Sequence, residues 1–157
     1  MMPFEVAEVP RADAAIERLF RASFGGPPPD YPRHFAARRA DGGAAAGYVH
    51  LTVAEPGVFL IGGLCVDARA YRALTREQRA EVAGQGSLSR LLLARAIAQL
   101  GPKRAVFAYT GDVRSRRDCE ALGFVPARPP YLIVQWHDEP AASREALVAR
   151  VAALGPF

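Results

Sequence analysis

The sequence predicts a single α/β domain spanning residues 1–157. Two patterns indicate this fold class. Three predicted strands follow one another through glycine-containing turns, as in an antiparallel meander, and predicted helices and strands then alternate. Half of the residues are hydrophobic and 23% are charged, which is the balance of a globular protein long enough to bury a core without disulfides.

The first half of the chain is predicted to hold one helix and four strands. A strand is predicted over 4–9. A helix is predicted from Arg11 because apolar residues recur at three- and four-residue spacing: Ala14, Ala15, Ile16, Leu19 and Phe20. It should end near Gly25, and the prolines of 27–32 predict a stiff connector. The meander strands are predicted over 33–40, 45–54 and 58–67, with turns at Asp41-Gly42-Gly43 and Pro56-Gly57.

Capping signals organise the second half. Thr75 and Gln78 form a capping-box pattern that predicts a short helix over 76–83, and a longer helix over 87–100 ends at Gly101-Pro102. Asp112 is the expected N-cap of a helix over 113–122. Strands are predicted over 105–110, 124–127 and 131–136. A last helix over 141–154 has one apolar face, made of Leu147, Val148, Val151 and Leu154.

Charge, cysteine content and hydropathy narrow the class of protein. Twenty Lys and Arg against 16 Asp and Glu give a net charge of +4, which favours anionic ligands without choosing among them. Cys65 and Cys119 are too few for a zinc site or a disulfide framework, so we expect a reducing compartment and no metal. No apolar run approaches the roughly 20 residues of a membrane span, and no leader pattern opens the sequence. We therefore expect a cytoplasmic protein without a membrane partner.

A glycine loop precedes the longest predicted helix. Free backbone amides at a helix start, without side chains to block approach, can bind a phosphate or pyrophosphate. The segment Gly84-Gln85-Gly86-Ser87 has this form, although a plain turn would have it too. It matches neither the P-loop motif nor the full dinucleotide-binding motif.

Three segments resemble, in the right order, motifs of the GCN5-related N-acetyltransferase (GNAT) superfamily. They are the strand end Gly62-Gly63-Leu64-Cys65-Val66-Asp67, the loop and helix start Gly84-Gln85-Gly86-Ser87-Leu88-Ser89-Arg90-Leu91-Leu92, and Cys119-Glu120-Ala121-Leu122-Gly123-Phe124. The resemblance covers roughly residues 45–136. It implies a mixed, mostly antiparallel central sheet flanked by helices on both faces, to which this chain adds a C-terminal helix, and it implies acetyl-CoA or another acyl-CoA as co-substrate.

The resemblance also assigns cofactor contacts. In GNAT folds the central strand and the next one splay apart, and backbone groups of the central strand bind the pantetheine arm between them. Here that role falls to Leu64, Cys65 and Val66. The pyrophosphate loop corresponds to Gly84, Gln85, Gly86, Ser87, Leu88 and Ser89, and Asp112 stands where an asparagine often contacts the arm. The usual Gln or Arg of the loop aligns with Ala83 or Glu81, depending on the register.

Four residues are candidates for proton transfer. Asp67 closes the predicted central strand and is our first choice of base, with a surface turn as its alternative role. Cys119 takes the place of the family tyrosine that protonates the CoA thiolate, with burial on a helix face as its alternative. His50 shares a strand face with Tyr48, a face that is either a pocket or, as is commoner for a lone histidine, solvent-exposed. Tyr109 lies on the following strand.

The resemblance therefore implies transfer of an acetyl group from acetyl-CoA to a primary amine by direct attack. Basic residues available to the 3′-phosphate of CoA are Lys103, Arg104, Arg114, Arg116 and Arg117. Two alternatives remain: an acyl-CoA-binding regulatory domain without activity, and a basic nucleic-acid-binding module, against which no nucleic-acid motif is found. The last helix is expected to pack on the sheet or to form a homodimer contact.

Overall fold

The computed structural model describes residues 1–31 and 33–157, so Pro32, at the end of the predicted proline connector, lies outside the described residues. The strands are β1 (Phe4–Val9), β2 (His34–Arg39), β3 (Ala45–Glu55), β4 (Val58–Val66), β5 (Ala105–Tyr109), β6 (Val125–Arg128) and β7 (Leu132–Trp136). The helices are α1 (Ala14–Phe24), α2 (Ala68–Arg72), α3 (Arg76–Gly84), α4 (Leu88–Ala98), α5 (Val113–Ala121) and α6 (Ala141–Ala152).

The strands form one mixed sheet in the order β1-β2-β3-β4-β5-β7-β6. The pairs β1–β2, β2–β3, β5–β7 and β6–β7 are antiparallel, whereas β4 pairs in parallel with β5 over Val58–Ile61. Helices cover both faces of the sheet. Tyr48 of β3 packs with α1 on one face, and Leu92 of α4 lies against Gly47 on the other, because neighbouring residues of a strand face opposite sides. The predicted mixed, mostly antiparallel sheet with an added C-terminal helix is confirmed.

The chain forms two compact units, and β3 and β4 each contribute residues to both. Unit 1 comprises Met1–His50 and Gly63–Gln99, and unit 2 comprises Leu51–Gly62 and Leu100–Phe157. In unit 1, α1 contributes Ile16 and Phe20 to a core that also contains Ala36, Ala45, Tyr48 and Cys65. In unit 2, α6 packs on strand residues, and this core contains Val58, Leu60, Phe107, Val134, Leu147 and Val151. Burial of these apolar side chains supplies the main stabilisation within each unit.

An ion-pair network ties the β3–β4 turn of unit 2 to residues far along the chain. Arg104 donates to Glu55 at 3.0 Å and to Glu139 at 2.7 Å, and its side chain lies against Gly57 of the turn. Arg150 of α6 donates to both carboxylate oxygens of Glu55 at 3.0 and 3.1 Å. These charge-assisted bonds hold the turn against the start of β5 and the last helix of the unit.

Several predicted element boundaries are corrected by capping. The first helix does not begin at Arg11, because Asp13 is its N-cap and accepts the backbone N–H of Ile16 at 3.0 Å. Residues 68–72, which no prediction covered, form α2, and β4 ends at Val66 because Asp67 caps that helix. The last helix ends at Ala152, so that Leu154 leaves its apolar face and is 60% exposed. Within the described residues, no helix combines the length and apolar character that crossing a membrane requires.

Candidate functional site

A pocket lies at the N-terminus of α4, where the sequence predicted anion binding. Its volume is about 350 Å³, and it is bounded on one side by the end of β4 and by α2, on the other by the loop before α4. The residues that line it are Val66, Asp67, Ala68, Tyr71, Arg72, Gly86, Ser87, Leu88 and Ser89. Ser87 caps α4 through its hydroxyl, which accepts the N–H of Arg90 at 3.0 Å. The remaining first-turn amides and the helix dipole make this end of α4 favourable for an anion.

The two loop glycines differ in how strictly the structure requires them. Gly86 has φ +93°, a backbone conformation that favours glycine, and a Cβ there would lie 2.4 Å from the Arg90 guanidinium, which would have to move aside. Gly84 is the last residue of α3, and a Cβ there would meet nothing within 4 Å. Gly86 is therefore the glycine that brings the backbone and the Arg90 side chain together at the pocket.

Asp67 has a structural partner at the edge of this pocket. Its carboxylate accepts the backbone N–H of Arg69 at 2.8 Å and so caps α2. The same residue also borders a second pocket of about 400 Å³, which Arg18 and Ser23 of α1 help to line. Asp67 thus lies at the junction of two pockets in unit 1, with one carboxylate contact already used by the helix cap.

The predicted arm-binding residues occupy the end of β4. Cys65 is buried in the core of unit 1, whereas Leu64 and Val66 are half-buried. Burial raises the pKa of the Cys65 thiol to about 11, so this thiol stays protonated and packs as a small apolar side chain. The Cys65 side chain therefore has a packing role here, and a role of the Leu64–Val66 backbone in binding an arm stays a prediction.

His50 and Tyr48 lie on a buried face, which corrects the expectation that a strand histidine is solvent-exposed. Tyr48 is fully buried and His50 is 9% exposed, because α1 covers this face with Phe20, whose ring lies 5.7 Å from that of Tyr48 and 6.2 Å from that of His50. Tyr31 meets His50 edge-on at 6.2 Å. His50 therefore sits in an aromatic enclosure.

A third polar residue, His34, completes this group. His34 is directly opposite His50 in the β2–β3 pairing, and its Nδ1 lies 2.6 Å from the Tyr48 hydroxyl. We call His34, Tyr48 and His50 the histidine–tyrosine cluster. Two of its buried nitrogens, Nε2 of His34 and Nδ1 of His50, have no hydrogen-bond partner among the described residues. Buried polar atoms without a protein partner are uncommon, and they are satisfied by ordered water or an ion, or have a catalytic role.

Gly63 of β4 borders the cluster at close range. Its φ is +62°, and a Cβ there would lie 2.6 Å from Cε2 of Phe20 and 2.7 Å from both Cε1 and Nδ1 of His50. The strand therefore departs from extended geometry where it passes the imidazole. This places a β4 backbone group beside the unpartnered Nδ1 of His50.

Sequence reasoning missed His34, although one signal could have found it. The hairpin turn at Asp41-Gly42-Gly43 was predicted, and His34 and His50 are equidistant from Gly42 along the chain. Strands that fold back at that glycine bring the two histidines opposite each other, which the observed pairing confirms. The pairing of His34 with His50 can be predicted only by counting residues outward in both directions from the turn at Gly42.

Both histidines are held neutral at pH 7. Burial lowers the pKa of His50 to about 4, with the neighbouring His34 adding to the shift, and burial also lowers the pKa of His34. Because the unfolded chain binds protons near the ordinary histidine value of 6.5, stability is complete above that pH and falls as the pH drops toward 4.

We therefore expect the unfolding free energy to fall by about 2 kcal/mol from pH 7 to pH 5 because of His50 alone. Urea unfolding of the wild type and of His50→Gln at both pH values measures this, because the variant keeps every other titrating group. Equal losses of stability in the two proteins would contradict the buried, neutral state of His50.

The remaining predicted site residues belong to unit 2. Tyr109 is half-buried, and its ring contacts that of Phe157 at 4.9 Å. Asp112 caps α5 as predicted, accepting the N–H of Ser115 at 2.8 Å. Cys119 is buried on α5, and burial, with smaller contributions from Asp118 and Glu120, raises the pKa of its thiol to about 12. Its observed surroundings match those of an apolar packing residue.

The basic residues considered for the 3′-phosphate differ in availability. Arg104 is engaged by Glu55 and Glu139, and Arg116 donates to Glu120 and to the carbonyl of Pro130. Lys103 donates to the carbonyl of Gly101. In the described part of the chain, no three His, Cys, Asp or Glu side chains come together in a group that could hold a metal ion.

The fold recurs among solved acetyltransferase structures, although no protein-family model and no curated protein matches the sequence. A GNAT family acetyltransferase from Brucella melitensis, in complex with acetyl-CoA, aligns with 87% of this chain and 91% of its own, with a TM-score of 0.55 and 18% identity. The chain has the GNAT fold.

Two further GNAT-fold neighbours show the same extent of similarity. Ard1 from Thermoplasma volcanium aligns with a TM-score of 0.55 and 16% identity over 86% of this chain and 98% of its own. The E. coli protein YhhK, solved bound to coenzyme A, aligns with a TM-score of 0.56 and 14% identity over 87% of this chain and 100% of its own. At these identities the likeness establishes the GNAT fold, while the chemistry depends on this chain's own residues.

Proposed function

We propose that the protein is an acyl-CoA-dependent N-acyltransferase that transfers an acetyl group from acetyl-CoA to a primary amine. The observation that carries this proposal is the pocket at the N-terminus of α4, formed with the end of β4. GNAT-fold neighbours solved with coenzyme A or acetyl-CoA support the choice of ligand. All 157 residues would then serve one acyl-CoA-binding domain.

The residues present suit the anionic half of coenzyme A. Gly86, Ser87, Leu88, Ser89 and Arg72 line the α4 pocket, where Leu88 and Ser89 place first-turn backbone amides; the N–H of Gly86 itself donates to the carbonyl of Ala83 at 2.9 Å. Gly84 and Gln85 complete the loop, and Asp112 stays a proposed contact of the arm. Neither register of the loop provides its usual Gln or Arg, but Arg72 and Arg90 add positive charge at the same place. Backbone amides and guanidinium groups are the donors that a pyrophosphate requires.

The direction of the arm is part of the proposal. If the pyrophosphate binds beside Val66 and Gly86, an arm bound to the backbone of Leu64–Val66 would run back along β4, which rises about 3.3 Å per residue. Its acyl end would then lie toward Gly63, where the strand passes His50. We therefore propose that the acyl group is held near the histidine–tyrosine cluster.

This arrangement favours His50 over Asp67 as the proton acceptor. His50 lies beside the proposed acyl position and is unprotonated at pH 7, with a pKa of about 4 that makes it a weaker base than an ordinary imidazole, whereas the carboxylate of Asp67 caps α2 at the pyrophosphate end. The choice of His50 therefore rests on its position. In the reaction the amine nitrogen bonds to the thioester carbon, the carbon–sulfur bond breaks, and one amine proton goes to His50. The CoA thiolate leaves and takes up a proton.

Cys119 and Tyr109 are the proposed proton donors to the thiolate. Burial raises the pKa of the Cys119 thiol to about 12, which makes this thiol a poorer donor than an ordinary cysteine. The variants Cys119→Ala and Tyr109→Phe separate the two.

The proposal predicts that acetyl-CoA stabilises the protein. At 100 times its dissociation constant the ligand should add about 2.7 kcal/mol to the unfolding free energy, which raises the Tm by several degrees. Gly86→Ala should lose this rise because a Cβ displaces Arg90 at the pocket, whereas Gly84→Ala should keep it because its Cβ meets no atom. A thermal shift with millimolar acetyl-CoA measures both.

Turnover is then followed by thiol release from acetyl-CoA with a panel of primary amines. A rise in Tm with release of thiol supports the transferase. A rise without release from any amine supports the regulatory, acyl-CoA-binding alternative. If acetyl-CoA does not raise the Tm of the wild type, the proposed function is overturned. If a single-stranded oligonucleotide raises the Tm instead, the result favours the nucleic-acid-binding alternative.

A further inference from the structure

His34 is the cluster residue with no role in the reaction described so far. It is fully buried on β2, which β3 separates from β4. Its Nδ1 is hydrogen-bonded to the Tyr48 hydroxyl at 2.6 Å. Ala36, the residue opposite Tyr48, is small, so the Tyr48 ring reaches diagonally across the strands and stacks on His34 at 5.9 Å. This bond and stacking hold one imidazole edge and leave the other nitrogen, Nε2, buried without a partner among the described residues.

The two unpartnered nitrogens of the cluster belong to residues that face each other. His34 and His50 are direct partners in the antiparallel pairing, so their side chains leave the same face of the sheet with Cβ atoms about 5 Å apart. A neutral imidazole carries one nitrogen that accepts a proton and one that donates a proton, so each ring can take up a proton at one nitrogen and release one from the other. Two adjacent imidazoles with free nitrogens are the minimal arrangement for passing a proton onward.

We propose that His34 and His50 form a proton-transfer pair, in which His50 takes the proton released by the acceptor amine and shares it with His34, which Tyr48 positions. This inference rests on the proposed function and adds a second proton carrier and a positioning residue to it. The net transfer is one proton from the amine nitrogen to the pair, and from there to bulk water through His50, the more exposed of the two histidines (9% against 0%). Both imidazoles return to their neutral state after each cycle.

The charged groups around the pair give the transfer its direction. Glu8 of β1 and Asp30 of the segment after α1 both favour the protonated form of His34, whereas the neighbouring His34 disfavours the protonated form of His50. The other residues that face the cluster are Phe20 of α1, Tyr31 after it and Cys65 of β4. Burial raises the pKa of Tyr48, so its hydroxyl remains protonated and acts only as a hydrogen-bond partner. A proton is therefore held better at His34 than at His50.

The pairing itself is tested without an acceptor amine, by NMR titration of the three histidines. In the pair, the charge of one imidazole acts on the other, so His34→Gln should raise the pKa of His50. His137, in unit 2 and bonded to Gln135, is the internal control and should titrate as in the wild type. Tyr48→Phe keeps the ring but removes the hydroxyl, and it should shift the pKa of His34 while His137 stays unchanged. An unaltered pKa of His50 in His34→Gln overturns the pair.

The transfer is tested by the pH dependence of turnover with acetyl-CoA and the best amine of the panel. We expect His34→Gln to lower kcat at least 10-fold, with the KM for acetyl-CoA unchanged, and to alter the acid limb of the kcat profile. Tyr48→Phe should lower kcat in the same direction by a smaller factor. If the wild type turns over and both variants keep its kcat and pH profile, the pair is refuted and the proposed function stands. If the wild type neither binds nor uses acetyl-CoA, the proposed function fails, while the NMR result still decides whether the histidines are coupled.

Discussion

Gly63→Ala is expected to lower the unfolding free energy by roughly 2–5 kcal/mol. Two costs add at this position: about 1–2 kcal/mol for a side chain at positive φ, and about 1–3 kcal/mol for forcing a methyl group into packed surroundings. The new Cβ would lie 2.6 Å from the Phe20 ring and 2.7 Å from the His50 ring. Both rings are buried and packed on each other, so neither can move aside freely.

Urea unfolding measures this loss, and the chain offers a matched control. Gly42 also has positive φ, +87°, but a Cβ there meets nothing within 4 Å, so Gly42→Ala should show only the conformational cost of about 1–2 kcal/mol. The difference between the two variants isolates the contact with Phe20 and His50. If both alanine variants lose the same free energy, β4 does not pass His50 as closely as the structure shows.

His50→Gln is expected to lower kcat about 100-fold or more while leaving the KM for acetyl-CoA unchanged. The reason is that glutamine fills similar space but cannot take up a proton, and removal of a positioned proton acceptor costs about 10²–10⁴ in rate. The pyrophosphate of acyl-CoA is proposed to bind in the α4 pocket, away from this side chain, so that most of the binding free energy does not depend on His50. Thiol release with the best amine of the panel, measured from pH 3 to pH 9, gives both constants.

The pH profile gives this prediction a second readout. With a pKa of about 4, His50 is already neutral above pH 5, so its protonation limits the wild-type rate only below that pH. His137→Gln removes a histidine of unit 2 and serves as the control, with expected wild-type kinetics. Should His50→Gln retain the wild-type kcat, Asp67 would return as the proton acceptor, and Asp67→Asn would be the next variant to measure.

Local signals account for the parts of the fold that the sequence predicted. Helix starts at Thr75 and Asp112 were predictable because each is fixed by a hydrogen bond within three residues, and the structure shows both caps. The meander followed from its glycine turns. Helix α2 escaped prediction because it has only five residues, none of them buried, and its N-cap Asp67 was assigned to the end of a strand. A helix this short leaves no periodic pattern in a sequence.

The candidate site was predictable only in part, for a physical reason. The α4 loop is local in sequence, so its glycines and Ser87 could be found directly. The environment of His50 depends on α1, which lies about 30 residues earlier and covers one face of the strand. Alternation shows that Tyr48 and His50 share a face, but it cannot show which face a distant helix covers. The burial of His50 and the part played by His34 therefore needed the tertiary structure.

The ion-pair network of unit 2 bears on how the chain is completed during synthesis. Glu55 is made early, yet its partner Arg150 follows 95 residues later, and the intervening Gly63–Gln99 belong to unit 1. Contacts between residues so far apart in sequence carry a large loop-closure cost and form late. All residues of unit 1 therefore leave the ribosome before the last residues of unit 2 are made. Glu55 of the β3–β4 turn cannot pair with Arg150 until α6 has been synthesised. Translation itself thus imposes an order on the assembly of the two units.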